Sequence, residues 1–221
     1  MIRRLLRGLA GLVLLAGCTT GGTGPSQTPS SDPSAAFPCP AIERPTASPA
    51  PAAVTGGRVR VDRISFPAAP APFSRPTRYG YLPFAVAMAS QQATIEPSTP
   101  QSMGWEASLT VGRLGSADGA WGASRAAEVV SQCSLSITWR GIDYQPRVRR
   151  DEGTRVNGHE AWIRTTDLSF SVPGVRTTSE VQTVVIVQVG DDSYAFLSYL
   201  PGTAPELKDA LDAVQRGLRV D

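Results

Sequence analysis

The sequence predicts an α+β fold, a central, mostly antiparallel sheet flanked by helices in a sandwich, occupying residues 56–221. Three observations predict it. The order of patterned segments is strands, a helix, antiparallel strands and a C-terminal helix, which is a layered arrangement and not a βαβ repeat. Asn157-Gly158 lies between two runs of strand-like residues and marks a two-residue hairpin turn. Leu207, Leu211, Val214 and Leu218 recur at spacings of four, three and four, a stripe that must lie against a sheet. With 221 residues the chain has room for one ordinary domain with a core and not for a large multidomain enzyme.

Residues 1–17 read as an export signal. Arg3, Arg4 and Arg7 precede a short apolar run, Leu9 to Leu15, which is well below the roughly 20 residues needed to span a bilayer. Leu15-Ala16-Gly17-Cys18 resembles the bacterial lipobox in all four positions. That resemblance implies diacylglyceryl transfer to the Cys18 thiol, cleavage before Cys18, and a protein held at the extracytoplasmic face of the cell membrane by its acyl chains, as a palmitate-type lipoprotein. An ordinary secretory peptide with a chance cysteine is the competing reading. The same three arginines explain the formal charge of +2, because from Cys18 onward 18 basic side chains face 19 acidic ones. Without a net cationic excess, binding to nucleic acid is not expected.

Residues 18–55 form the lipidated cysteine and a Pro/Ser/Thr-rich tether. Eight of the 19 prolines fall within residues 19–54, and such a stretch cannot bury enough apolar surface to offset its ordering entropy. As a flexible coil it would reach roughly 35 Å. With Cys18 lipidated, Cys39 and Cys133 remain, and an even count in an exported chain favours a disulfide over two unpaired buried thiols. Pairing would pin the segment 37–42 to the domain.

Within the domain, Val59 and Val61, continuing toward Ile64 and Phe66, suggest a first strand, followed by a Pro-rich loop. Tyr81 to Met88 reads as a second strand, at an edge because Pro83 interrupts it. Trp105 to Leu114 alternates Trp105, Ala107, Leu109 and Val111. A helix is expected over Asp118 to Cys133, capped by Asp118, with Ala126, Val129, Val130 and Cys133 on one face. A type I′ turn at Asn157-Gly158 sets a register in which paired residue numbers sum to 315, so Arg155 faces Glu160, Asp151 faces Arg164 and Gly153 faces Trp162. Glu152 opposite Ile163 is the discordant pair, which places a bulge near Asp151 to Gly153. Val181 to Val189 is apolar on both faces and suits a central strand, turned by Gly190-Asp191-Asp192 into Tyr194 to Leu200. Thr203-Ala204-Pro205-Glu206 has the spacing of a capping box ahead of the last helix.

The run from Trp105 to Val220, with its helix ending near a cysteine, then Val156-Asn157-Gly158-His159-Glu160-Ala161-Trp162, the Val-rich hairpin, Leu200-Pro201-Gly202 and a terminal amphipathic helix, is similar to small actinobacterial lipoproteins of PsbP-like fold, including the LpqN/LpqT type. The resemblance covers about half of the chain. It implies a central antiparallel sheet flanked by helices, and a cell-envelope protein with a binding or assembly role.

Motifs for catalysis are sparse. A single histidine, His159, excludes a two-histidine zinc site, and its place at a hairpin tip assigns it to the turn edge. No G-x-S-x-G occurs, and the one lysine, Lys208, falls on the solvated side of the last helix, which removes Ser-Lys dyads and a P-loop. No metal or cofactor is expected. Asp191-Asp192 reads as turn chemistry. Arg147, Arg149 and Arg150 are answered at once by Asp151 and Glu152 and read as a solvated strand edge. Trp139, Arg140, Asp143 and Tyr144 combine aromatic and charged groups in one expected loop and form the candidate binding patch. The resulting expectation is a lipid-anchored, non-catalytic module that binds another envelope protein or a small apolar or glycan ligand. The rivals are an envelope hydrolase acting on wall or lipid substrates through carboxylates such as Glu106, Asp143 or Glu160, and a structural spacer or surface antigen.

Overall fold

In the computed structural model, which describes residues 39–40, 52–115 and 122–221, the chain runs first through β1 (Val54–Thr55), β2 (Arg58–Val61) and β3 (Ile64–Pro67). Then follow β4 (Ala85–Glu96), β5 (Trp105–Leu114), α1 (Ala123–Thr138), β6 (Tyr144–Val156), β7 (His159–Phe170), β8 (Ser179–Val189) and β9 (Asp192–Pro201). A 3₁₀ turn at Pro205–Leu207 leads into α2 (Lys208–Arg216), and β10 (Arg219–Val220) ends the chain. The expected signal segment, Cys18 and most of the expected tether lie outside the described residues, as does Asp118.

Six strands form an antiparallel sheet in the order β4-β5-β9-β8-β7-β6, and β1-β2-β3-β10 form a second, smaller one. The layers follow from the two-residue period of a strand. On β8, Val184 and Ile186 face one way and join Ala126, Ala127 and Val130 of α1, whereas Val185 and Val187 face the other and join Phe66, Leu211 and Val214. The central strands are therefore apolar on both faces because both are covered. The expected flanking by helices is half right. One face is covered by α1 and the other mainly by the small sheet with α2 against it, because Val59, Ile64, Phe66 and Val220 supply the apolar surface there.

The Asn157-Gly158 hairpin has the expected register from Val156↔His159 through Arg150↔Thr165, with both turn residues at positive φ, 49° and 83°. The bulge falls between Val148 and Arg150 and not at Asp151 to Gly153. Glu152 is tolerated opposite Ile163 because β6 is a solvated edge strand and the carboxylate turns to Arg150, 2.7 Å away. The charges and Pro146 along β6 also deter another chain from adding to that edge.

Four further expectations are corrected. The first strand is a hairpin, β2 and β3, since Asp62 takes a positive φ of 52° between them. The second strand begins at Ala85 and runs to Glu96, not Tyr81 to Met88, because Pro83 and Phe84, the latter at φ 64°, make a turn. Its polar middle is satisfied from outside, as Gln91 is buried and bonds the backbone of Ala69 and Ser74 in the Pro-rich loop. The first helix continues to Thr138 and ends where Gly141 adopts φ 81°, and Gly122, not Asp118, stands at its N-cap. The capping box does not form. Thr203 turns to the Thr177 hydroxyl at 2.6 Å, and the last helix starts as a 3₁₀ turn with no side-chain cap bond.

Cys39 and Cys133 stand at disulfide distance with their Cα atoms 5.2 Å apart.

Candidate functional site

A cleft of about 500 Å³ opens where the β4-β5 connection meets the C-terminal end of α1. Its apolar walls are Trp105, Met103, Trp139, Ile142, Tyr81 and Tyr199. Trp105 opens β5 and stacks on Phe170 at 4.8 Å, and Trp139, just past α1, packs edge-on against both at 5.4 and 4.4 Å. This aromatic cluster fixes the back of the cleft. The Trp139 side chain is buried, and its indole N–H has no hydrogen-bond partner among the described residues.

Three carboxylates line the same cleft: Glu96 from the end of β4, Glu106 from β5 and Glu180 from the start of β8. Their environments differ. Glu180 is 4% exposed and has no ion-pair partner among the described residues; burial pushes its carboxyl up to about 8, and a hydrogen bond with Trp105 opposes the shift only in part. Glu96 is held below the usual carboxylate range, first by the Thr177 hydroxyl at 2.5 Å and then by the amide of Arg176 at 2.9 Å. The amide of Thr177, 2.8 Å away, donates to it as well. Both Glu96 oxygens are thus engaged in holding the β7-β8 loop, and the Arg176 guanidinium lies 3.6 Å away on the solvent side. Glu106 is exposed.

Behind Glu180, Tyr199 belongs to a buried polar network. Gln182 accepts from the Ser131 hydroxyl at 2.5 Å and donates to Ser134 Oγ at 2.7 Å and to the Tyr199 hydroxyl at 2.9 Å. Tyr199 donates to Ser134 Oγ at 3.1 Å, and burial pushes its phenol above the ordinary tyrosine range. The network ties α1 to β8 and β9 and keeps that wall of the cleft in one arrangement.

The expected binding patch does not assemble. Trp139 faces the core and the cleft, and Tyr144 packs on it at 5.5 Å but lines a separate groove beside Leu135 and Val148. Arg140 and Asp143 are exposed and line neither. Of the carboxylates proposed for hydrolysis, Glu106 reaches the cleft, Asp143 is exposed elsewhere, and Glu160 is exposed opposite Arg155 on the hairpin. His159 is half-buried beside the turn. The residues that matter most here, Glu96, Glu180 and Tyr199, were not anticipated. One sign was readable: Glu180 and Gln182 share their strand parity with Val184 and Ile186, so two polar groups had to point inward with a buried apolar row. Among the described residues no cluster of histidine, cysteine or acidic side chains suits a metal ion, and no helix is long and apolar enough to cross a membrane.

No protein-family model and no curated protein matches the chain. Three solved structures are similar to it. PsbP (CyanoP) from Synechocystis sp. PCC 6803 is 9% identical over 61% of this chain and 86% of its own, with a TM-score of 0.38. PA94, a protein of unknown function from Pseudomonas aeruginosa, is 15% identical over 72% and 92%, with a TM-score of 0.36. The Ran-binding protein Mog1p from Saccharomyces cerevisiae is 11% identical over 74% and 95%, with a TM-score of 0.43.

Proposed function

We propose that the chain is a lipid-anchored extracytoplasmic lipoprotein, of the small actinobacterial kind that its Trp105 to Val220 run resembles, whose domain is a non-catalytic module binding a small ligand with an apolar body. The anchor is supported by the arginine-led apolar segment and the Leu15-Ala16-Gly17-Cys18 motif. The observation that carries the binding role is the cleft of about 500 Å³, walled by Trp105 and by Trp139, whose buried indole N–H has no partner among the described residues. Apolar walls with a few convergent polar groups are what a small-molecule site requires. Cys18→Ser in the full chain tests the anchor by moving the protein from the membrane fraction to the soluble one.

The cleft is tested with a neutral apolar fluorophore, N-phenyl-1-naphthylamine, read by its own emission and by quenching of tryptophan. Thr94→Trp, on an exposed position of the edge strand lining the cleft, should weaken its binding roughly tenfold or more by filling the space. Equal binding by both proteins, or none by either, would remove the reading.

Hydrolysis is the second reading, because one cleft holds a carboxyl pushed up and another held down, the arrangement of an acid and base pair. Against it, Glu96 spends both oxygens on the Arg176-Thr177 backbone and the Thr177 hydroxyl, which leaves it no free oxygen directed to a substrate or water as strongly as to the loop.

A further inference from the structure

We infer that the ligand of this cleft is an organic cation: an ammonium group carried on an apolar body, with a hydrogen-bond acceptor near the charge. The inference rests on the reading of the cleft as a ligand site and adds its chemistry. Glu96, Glu106 and Glu180 all line the cleft, whereas among the described residues no lysine, arginine or histidine does. Arg176 pairs with Glu96 at 3.6 Å with its side chain 77% exposed, and no ion pair reaches Glu180 among the described residues. Burial without a counter-ion keeps the Glu180 carboxyl protonated into the neutral range, and an entering cation supplies the counter-charge that lets it ionise in place.

The walls favour the same guest. Trp105, Trp139, Tyr81 and Tyr199 give the cleft two indoles and two phenols, and aromatic faces attract ammonium and quaternary ammonium groups through the ring quadrupole, tryptophan most strongly. The Trp139 N–H is independent of the acidic groups. It is a buried donor without a partner among the described residues, and a hydroxyl or carbonyl oxygen on the guest would satisfy it. An anion would meet three acidic side chains and no cation among the described lining residues, and a purely apolar guest would leave the Trp139 donor without an acceptor and Glu180 without a counter-charge.

Among the described residues the surroundings of Glu180 supply no alternative counter-ion. Its strand neighbours are Leu168 on β7 and Pro201 on β9, and the C-terminal end of α1 offers Thr138 and, just past it, Trp139. The titratable groups sharing the cleft, Glu96, Glu106, Tyr81 and Tyr199, are all acids.

The test compares benzyltrimethylammonium with neopentylbenzene, in which a carbon replaces the nitrogen and the charge is lost at nearly constant shape. Binding to the full chain is followed by tryptophan quenching at pH 8. The cation should bind roughly tenfold or more tightly than the hydrocarbon. Glu180→Gln, which keeps the side chain's shape, should shrink that ratio toward unity, and Glu106→Gln, at an exposed position, should shrink it less. A ratio of one or below in the native protein would overturn the cationic guest while leaving the binding cleft intact. A ratio unchanged by Glu180→Gln would also overturn it. If neither compound nor N-phenyl-1-naphthylamine binds, the cleft itself fails as a ligand site.

Discussion

Gln182 and Tyr199 face each other across β8 and β9, and the Gln182 amide donates to the Tyr199 hydroxyl at 2.9 Å inside the protein. The same amide serves Ser131 and Ser134 of α1, so one side chain joins helix to sheet. Gln182→Leu leaves three buried hydroxyls short of a partner and should cost about 2 to 3 kcal/mol in denaturant unfolding. Tyr199→Phe, after which Ser134 still receives Gln182, should cost about 1 kcal/mol. The double variant should lose less than the two together, because removing the phenol removes one of the groups that Gln182→Leu orphans. Additive losses would mean that the network is not coupled.

Glu180 should make stability fall with rising pH. Its folded carboxyl is pushed up to about 8 from 4.5, so between those values the folded state holds a proton that the unfolded chain releases. Unfolding is therefore favoured as pH rises through that window, by an amount on the order of a few kcal/mol, and the penalty stays above it. Glu180→Gln should flatten this limb and be more stable than the native protein at pH 9. A native stability curve flat from pH 5 to 8 would argue against a buried, unpaired Glu180.

Glu96 should act in the opposite sense. Its folded carboxyl lies below 4.5, so its contribution is present above about 4.5 and is lost as pH falls through the folded value. Glu96→Gln replaces charge-assisted bonds to Thr177 and Arg176 with weaker ones and should cost about 1.5 to 3 kcal/mol at pH 7. The loss should shrink below pH 4, and amide exchange should accelerate at Arg176 and Thr177 first. Uniform loss at every pH would assign the effect to packing alone.

What was legible in the residues and what was not divides along physical lines. The Asn157-Gly158 turn fixed a long register because both positions demand positive φ, and the stripe Leu207, Leu211, Val214 and Leu218 is buried because a helix has only one apolar side to hide. The edge strand β4 was misplaced because its middle, Ser90-Gln91-Gln92, looks like a loop until the Pro-rich segment supplies partners to Gln91. The capping box failed because Thr203 found a stronger tertiary partner in Thr177. The cleft was hidden for the same reason, since Glu96, Trp105, Trp139 and Glu180 meet only through the sheet order β4-β5-β9-β8, which local spacing does not encode.

Gly112 marks a close approach between strands. A Cβ there would lie 2.6 Å from the Ala87 carbonyl oxygen and 2.7 Å from a Leu82 methyl, and the first of these is backbone that cannot rotate away. Gly112→Ala should cost roughly 1 to 3 kcal/mol and should loosen the edge strand β4 first, seen as faster amide exchange around Met88, the register partner of Gly112. Unchanged stability would mean that β4 can shift outward without loss.

Cys39 and Cys133 close a loop of 94 residues, and Cys133 at the centre of α1 is fully buried. If the pair is oxidised in the exported protein, the bridge restricts the unfolded chain by about 4 to 5 kcal/mol on the chain-entropy scale. Cys39→Ser isolates that constraint, because it alters the half-buried partner and leaves the Cys133 position filled by sulfur. The variant should lose stability by about that amount in denaturant, and reductant should lower the native protein to the same level while leaving Cys39→Ser unmoved. Thiol labelling of the native protein without reductant should report neither Cys39 nor Cys133. A native protein insensitive to reductant, or labelled at both positions, would show that the two sulfurs stand close without being joined.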